Sequence, residues 1–230
     1  LIIGAIASIT IIFVLLSDPG NTKIVITAIS FGLLFYIAFL AIRSHTAAER
    51  NQLLSILVFI ITAVFFWSLY KQLFNSLALF IDKDIQRSVM GLTVPTSMFV
   101  LVPNAAFIII LASIFAKIWI VLDRKGKSPS SPAKFLMGLF FSLASFSTLA
   151  LSAYLAYTTG TKSSMLWPIA GIFLLTCAEL CISPVGLSIV SKMSPPRLSG
   201  FLMGAWFLAS SIGSYVSGLL SCFVKIPKGE

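Results

Sequence analysis

Long apolar runs separated by short polar turns make up nearly the whole chain. Seven of these runs are long enough, or nearly so, to cross a bilayer. They are roughly Leu1–Leu16, Ile24–Ile42, Leu53–Ile81, Pro95–Leu122, Phe135–Tyr157, Met165–Val190 and Leu198–Val224. Apolarity that persists over such lengths excludes the strands of a membrane barrel, which alternate over about ten residues. The pattern therefore predicts seven helices of an all-α integral membrane protein. The first run is short: at about 1.5 Å per residue it spans roughly 24 Å, against a hydrocarbon core of ~30 Å. It begins without a methionine or a charged flank, and no small-residue cleavage site follows. A truncated helix is expected there rather than a signal peptide. The KIPKGE end stops just after a span, so the sequence reads as a piece of a longer protein.

Composition agrees with this picture. The 230 residues are 58% hydrophobic and only 10% charged, and the mean hydropathy is +1.04. A soluble domain would carry about 25% charged residues. The formal net charge of +9 does not mark a nucleic-acid surface, because the basic residues sit in short loops between apolar runs. One set of loops, RSHTAAERNQ, DRKGKSPSSPAK and SKMSPPR, holds eight basic residues and two acids; the other, SDPGNTK, DKDIQR, TTGTKSS and the tail, holds six and four. The positive-inside rule assigns the first set to the cytoplasm, with the visible N-terminus inside and the C-terminus outside. Cys177, Cys181 and Cys222 show no metal-ligand spacing and are read as small apolar fillers.

Polar residues inside the runs are the candidates for chemistry, because an ionisable group at membrane depth is expensive and usually functional. Glu179 lies near the middle of the sixth run, between Trp167 and Lys192, with Pro184 loosening the helix beside it. It is either a protonatable functional group or half of a static ion pair, with Lys71 as the partner. Lys71 interrupts the third run together with Gln72 and Asn75, and with Asn75 it shares one face at a spacing of four. It either faces a polar cavity or an acid, or it snorkels outward. In the fourth run Pro103 predicts a kink, and Asn104 beside it serves either a ligand or the freed backbone. Ser142, Ser145 and Ser147 of the fifth run suit close helix contact. The seventh run has a GxxxG pair, Gly200 and Gly204, then a small-residue row through Ala205, Ala209, Gly213 and Ser217. Trp206 heads the next row and is either lipid-facing or a cavity wall.

With these residues laid out, the chain resembles the C-terminal half of a proton-dependent oligopeptide transporter (POT, also called PTR) of the major facilitator superfamily. The family pattern GEL-x-x-SPVGLS is represented by Ala178-Glu179-Leu180 and Ser183-Pro184-Val185-Gly186-Leu187-Ser188. The following turn and helix are matched by Lys192, Pro195, Arg197, Gly200, Met203, Gly204, Trp206, Phe207 and Leu208. Phe66-Trp67, Gln72 and Ser76-Leu77 resemble the family's seventh helix, and Lys125-Gly126 through Gly138 its loop between helices 8 and 9. The resemblance covers about residues 52–224.

It implies a major-facilitator-type C-terminal bundle, with residues 46–230 holding helices 7 to 11 and the last helix missing. Residues 1–45 resemble the extra transmembrane hairpin that bacterial members carry between their two bundles. The implied function is proton-coupled uptake of di- and tripeptides across the inner (plasma) membrane. Its implied partners are small peptides, protons, the lipid bilayer and the missing N-terminal bundle of the same chain. No cofactor, metal or nucleic acid is implied. Carried over by position, Glu179 holds the peptide's amino terminus and couples protons, with Lys71 as a second proton-coupling candidate. Ser183 and Trp206 line the same cavity, Trp67 contributes to it, and Asn104 stands in for an amine-binding asparagine. Two departures stand out. Lys71 occupies a position where many members have an acid, and Pro103-Asn104 reverses the family's Asn-Pro. A symporter for another solute, such as nitrate or an amino-acid derivative, is the alternative that Lys71 would suit. An enzyme is not expected: His45 sits in a loop, and no nucleophile–base or metal cluster lies within reach.

Overall fold

The computed structural model describes residues 19–44, 46–89 and 91–223, so the first predicted run and His45 lie outside the described residues. Six helical spans among the described residues are long and apolar enough to cross a membrane, and they correspond to the second to seventh runs. The chain divides into two compact units, Leu1–Val58 and Phe59–Glu230, with the division inside a helix. In the first unit, α1 (Pro19–Ile42) exposes Ile24, Phe31, Phe35 and Ile42, as a lipid-facing helix does. The helix α2 (Ala47–Tyr70) begins in this unit and ends in the second.

The third run is not one helix. After Tyr70 the chain tightens into a 3-10 turn, Lys71–Phe74, swings through Asn75 (φ −111°, ψ −102°) and resumes as α3 (Ser76–Asp84). The polar residues foreseen as an interruption coincide with a real break in the i to i−4 ladder. The break also takes Lys71 and Asn75 off a common helical face. Asn75 donates to Ser217 Oγ at 2.9 Å, whereas the Lys71 ammonium lies over three aromatic rings.

Beyond α3, short strands finish the loop: β1 (Ile85–Gln86), β2 (Ser88–Val89) and β3 (Leu92–Thr93), the last two paired antiparallel around Gly91 at φ +82°. Asp82 Oδ1 receives hydrogen bonds from Arg87 Nη2 and Thr96 Oγ1, both at 2.7 Å, and so ties the loop to the next helix. That helix, α4 (Thr96–Arg124), runs through Pro103 and is extensively exposed, at Leu101, Val102, Ile109 and Ile110 among others.

Next come α5 (Ser131–Thr159) and α6 (Leu166–Met193). Ser130 caps α5 by accepting from the Ala133 amide at 3.4 Å, and Gly160 ends it in the left-handed region at φ +63°. Between the two helices β4 (Ser163–Ser164) pairs parallel with β1. The α5–α6 seam is close because small residues meet large ones. A Cβ at Gly138 would stand 2.5 Å from Ile182 Cγ1, and one at Gly171 would stand 2.8 Å from Leu149. Ser142 and Ser145 are buried as expected, and Ser145 Oγ donates to the Gly171 carbonyl at 2.7 Å. Ser147 is exposed; Ser152, bonded to Ser163 Oγ at 3.1 Å, is the third buried serine.

A 3-10 turn, Pro196–Leu198, leads into α7 (Ser199–Ser221). The expected small-residue seam exists, but it starts lower than the GxxxG pair. A Cβ at Gly200 or Gly204 would meet nothing within 4 Å, whereas Ala205, Ala209, Gly213 and Ser217 are buried. At Gly213 a Cβ would stand 2.5 Å from Trp67 Cβ and 3.0 Å from the Ser68 amide nitrogen.

Candidate transport site

Two cavities stand out among the described residues. One, of about 400 Å3, is walled largely by apolar residues such as Leu77, Phe80, Phe146 and Leu149, and no charged group lines it. The other, of about 350 Å3, is lined by Glu179, Ser183 and Trp206 together with Ile108, Leu187 and Phe207. Three of the site residues expected from the sequence therefore converge on one space. Glu179 and Ser183 share it because they lie four residues apart on α6.

Trp206 is a cavity wall and not a lipid-facing ring. It is only 4% exposed and meets Phe135 edge-on, with ring centroids 6.3 Å apart. Gly186 makes the seat for it, since any Cβ there would overlap the Trp206 ring. The Gly in the SPVGLS stretch is thus a steric requirement set by a tryptophan twenty residues further on.

Glu179 is half-buried, and its Oε2 is fully buried with no hydrogen-bond partner among the described residues. Of the two readings of Glu179, the static ion pair with Lys71 is not formed: among the described residues the side-chain ion pair is Arg87–Asp82. Lys71 acts on Glu179 through space, while its ammonium sits 5.6 Å from the Trp67 ring, 5.9 Å from Tyr70 and 5.8 Å from Phe74. Aromatic faces attract a cation by their quadrupoles, most strongly where water is excluded. This explains how a lysine is held at membrane depth without an acid in contact.

Asn104 does not turn to the freed backbone near Pro103. Its Nδ2 donates to Thr176 Oγ1 at 3.1 Å, its Oδ1 accepts from the Tyr70 hydroxyl at 3.3 Å, and Thr176 Oγ1 in turn donates to the Ile172 carbonyl at 2.8 Å. Tyr70 is 5% exposed and also lies beside the Glu179 carboxyl group. Trp67 does not line the cavity; it packs edge-on against Phe66 and Tyr70, with centroids 5.3 Å apart in both cases.

Below this cluster the break is clamped to α7. Gln72 Nε2 donates to the Ser217 carbonyl at 3.0 Å, and its Oε1 accepts from Ser76 Oγ at 2.7 Å and Ser221 Oγ at 3.2 Å. Sequence reasoning did not single out Tyr70 or Thr176. Thr176 stands three residues before Glu179 and Tyr70 directly before Lys71, but a tyrosine and a threonine in apolar runs raise no alarm by themselves.

Comparison with known proteins gives a consistent answer. The sequence profile of the POT family matches residues 7–229. Among curated relatives, the peptide transporter YePEPT of Yersinia enterocolitica is 37% identical over 193 residues, covering 84% of this chain and 38% of the relative. Dipeptide and tripeptide permease A of Escherichia coli is 32% identical over 224 residues, covering 96% of this chain and 44% of the relative. The chain therefore spans less than half the length of these relatives. A solved structure of peptide transporter POT in complex with sulfate superposes with a TM-score of 0.80 at 27% identity, covering 97% of this chain and 46% of that one. A mutant of the same transporter in complex with alafosfalin gives a TM-score of 0.81 at 28% identity, covering 97% and 45%. The described helices thus follow the major-facilitator arrangement of helices seen in those transporters, and this multi-pass membrane chain belongs to the POT family.

Proposed function

We propose that this chain forms one half of the transport cavity of a proton-coupled di- and tripeptide transporter, with Glu179 as its proton- and amine-binding group. The remaining length that its relatives carry would supply the other half. The single observation that carries the reading is Glu179 Oε2, a buried carboxylate oxygen without a partner on the wall of a 350 Å3 cavity. An unsatisfied acceptor in low dielectric is costly. Either a proton or a substrate ammonium relieves it, and competition between the two couples their movements.

Ser183 and Trp206 line the space a peptide would enter, and Lys71, its ammonium over the Trp67 ring, is the second proton-coupling candidate. Asn104, with both amide atoms engaged by Tyr70 and Thr176, serves the site through Tyr70 rather than as a direct ligand. Residues 1–45 form an accessory hairpin and residues 46–230 the transporting bundle, set in the inner membrane with the RSHTAAERNQ side facing the cytoplasm. The chain carries no enzymatic role in this reading. The names of the relatives speak for peptides over nitrate or an amino-acid derivative.

The test is Glu179→Gln in the full-length transporter, reconstituted in liposomes under an acid-outside pH gradient. Accumulation of labelled dialanine should be abolished while the protein still elutes as a folded species in detergent. Normal gradient-driven accumulation by this variant would overturn the reading.

A further inference from the structure

The turn between α4 and α5 gathers Arg124, Lys125, Lys127 and Lys134 around a single acid, Asp123. None of these four cations makes a side-chain hydrogen bond or ion pair among the described residues. The turn is nonetheless firmly built. Gly126 takes the left-handed region at φ +64°. The Lys127 amide donates to the Leu122 carbonyl and the Gly126 amide to the Asp123 carbonyl, both at 2.9 Å, which closes α4 in a Schellman motif. Its height follows from length: the 29 residues of α4 span roughly 43 Å, against a hydrocarbon core of ~30 Å. With Trp119 in the interfacial belt, the turn five residues further on stands among the lipid headgroups.

A seam runs down from that turn, because α4 and α5 each pack against α6 and scarcely against each other. Lys134 reaches across it: its Nζ lies 4.7 Å from the centre of the Trp119 ring, and the residue is half-buried. On the α4 side Phe115 stands edge-on to Trp119 at 6.0 Å. On the α5 side Met137, 39% exposed, lies one turn beyond Lys134. A half-buried ammonium backed by a ring, with three more cations in the same turn and no anion in contact, is a surface of one charge facing the headgroup layer. We propose that the α4–α5 turn holds the phosphate headgroup of an anionic phospholipid, with Lys125, Lys127 and Lys134 supplying the charge and an acyl chain lying in the seam beside Phe115, Trp119 and Met137. A free anion would leave the apolar seam unused, and a zwitterionic headgroup brings a cation of its own. Neither Glu179 nor its proton enters the inference, which stands apart from the transport site.

The test titrates the full-length transporter, in neutral detergent, with dioleoylphosphatidylglycerol or dioleoylphosphatidylcholine and counts bound lipid by native mass spectrometry. The anionic lipid should bind more tightly. Its apparent dissociation constant should rise about fivefold for each of Lys125→Gln, Lys127→Gln and Lys134→Gln, while Lys134→Arg, which keeps the charge, stays near wild type. The double variant Lys83→Gln/Lys162→Gln removes two lysines from the other set of loops and should leave the binding unchanged. Equal binding of the two lipids by the wild type would overturn the inference. So would an equal loss in the Lys83→Gln/Lys162→Gln control, which would reduce the effect to overall charge. Displacement of the lipid by an equal concentration of inorganic phosphate would mark a free-anion site and overturn it as well. Lys127 is exposed, so Lys127→Gln keeps the question open to refutation even if Lys134→Gln fails to fold: unchanged lipid binding by that variant counts against the site.

Discussion

The two sides of the break after α2 hold similar numbers of polar groups and treat them in opposite ways. On one side Gln72, Asn75 and Ser76 meet Ser217 and Ser221, and the Gln72 amide is used at both ends, with bonds of 2.7 to 3.2 Å. On the other side Lys71 has no acid in contact, the Tyr70 bond is long and one oxygen of Glu179 has no partner. In a lipid-surrounded bundle a closed polar network rigidifies, while an open one stays available to an incoming proton or ligand. The first cluster fixes where the helix breaks, and the second uses the groups the break exposes.

Substitutions can break that contrast. The largest effect is expected from Gly186→Leu, which forces a side chain into the space of the Trp206 ring. Overpacking of this kind costs about 1–3 kcal/mol or more. Dipeptide uptake should be lost, and dialanine should no longer raise the melting temperature in detergent. Gln72→Leu comes next: it removes the amide that links the Ser217 carbonyl to the hydroxyls of Ser76 and Ser221, at a cost of roughly 1–2 kcal/mol. The melting temperature should fall, with the affinity for dialanine retained by the surviving folded protein. The smallest effect on stability, below about 1 kcal/mol, is expected from Lys71→Gln, which removes a cation lying over three aromatic rings with no acid in contact. Uptake by that variant should change its ratio between acidic and neutral dipeptides, as measured by competition. A large loss of stability with no change in that ratio would move Lys71 into the structural cluster.

Much of this was legible in the sequence because the bilayer imposes length and apolarity on every spanning helix. The convergence of Glu179, Ser183 and Trp206 was legible too, the first pair from helical spacing and the tryptophan from the family resemblance. What was not legible depends on contacts between helices. The 3-10 turn follows from side chains finding partners on α7, which no local pattern reports. The GxxxG pair has the right spacing for a seam, yet the faces that meet begin at Ala205. Asn104 looked like a ligand or a backbone patch, and only the position of α6 shows it bridging Tyr70 and Thr176.

The contact of Gly213 with Trp67 Cβ and the Ser68 backbone has a mechanical consequence. The row Ala205, Ala209, Gly213 and Ser217 forms a keyway along α7. Axial slip by one turn would bring the Cβ of Ala209 or Ser217 to the place of Gly213, against Trp67 Cβ and the Ser68 amide, and a twist of α7 about its own axis would bring a larger neighbour there. Gly213 is therefore a register pin: it holds α7 at one height and one rotation against the Trp67–Ser68 backbone of α2.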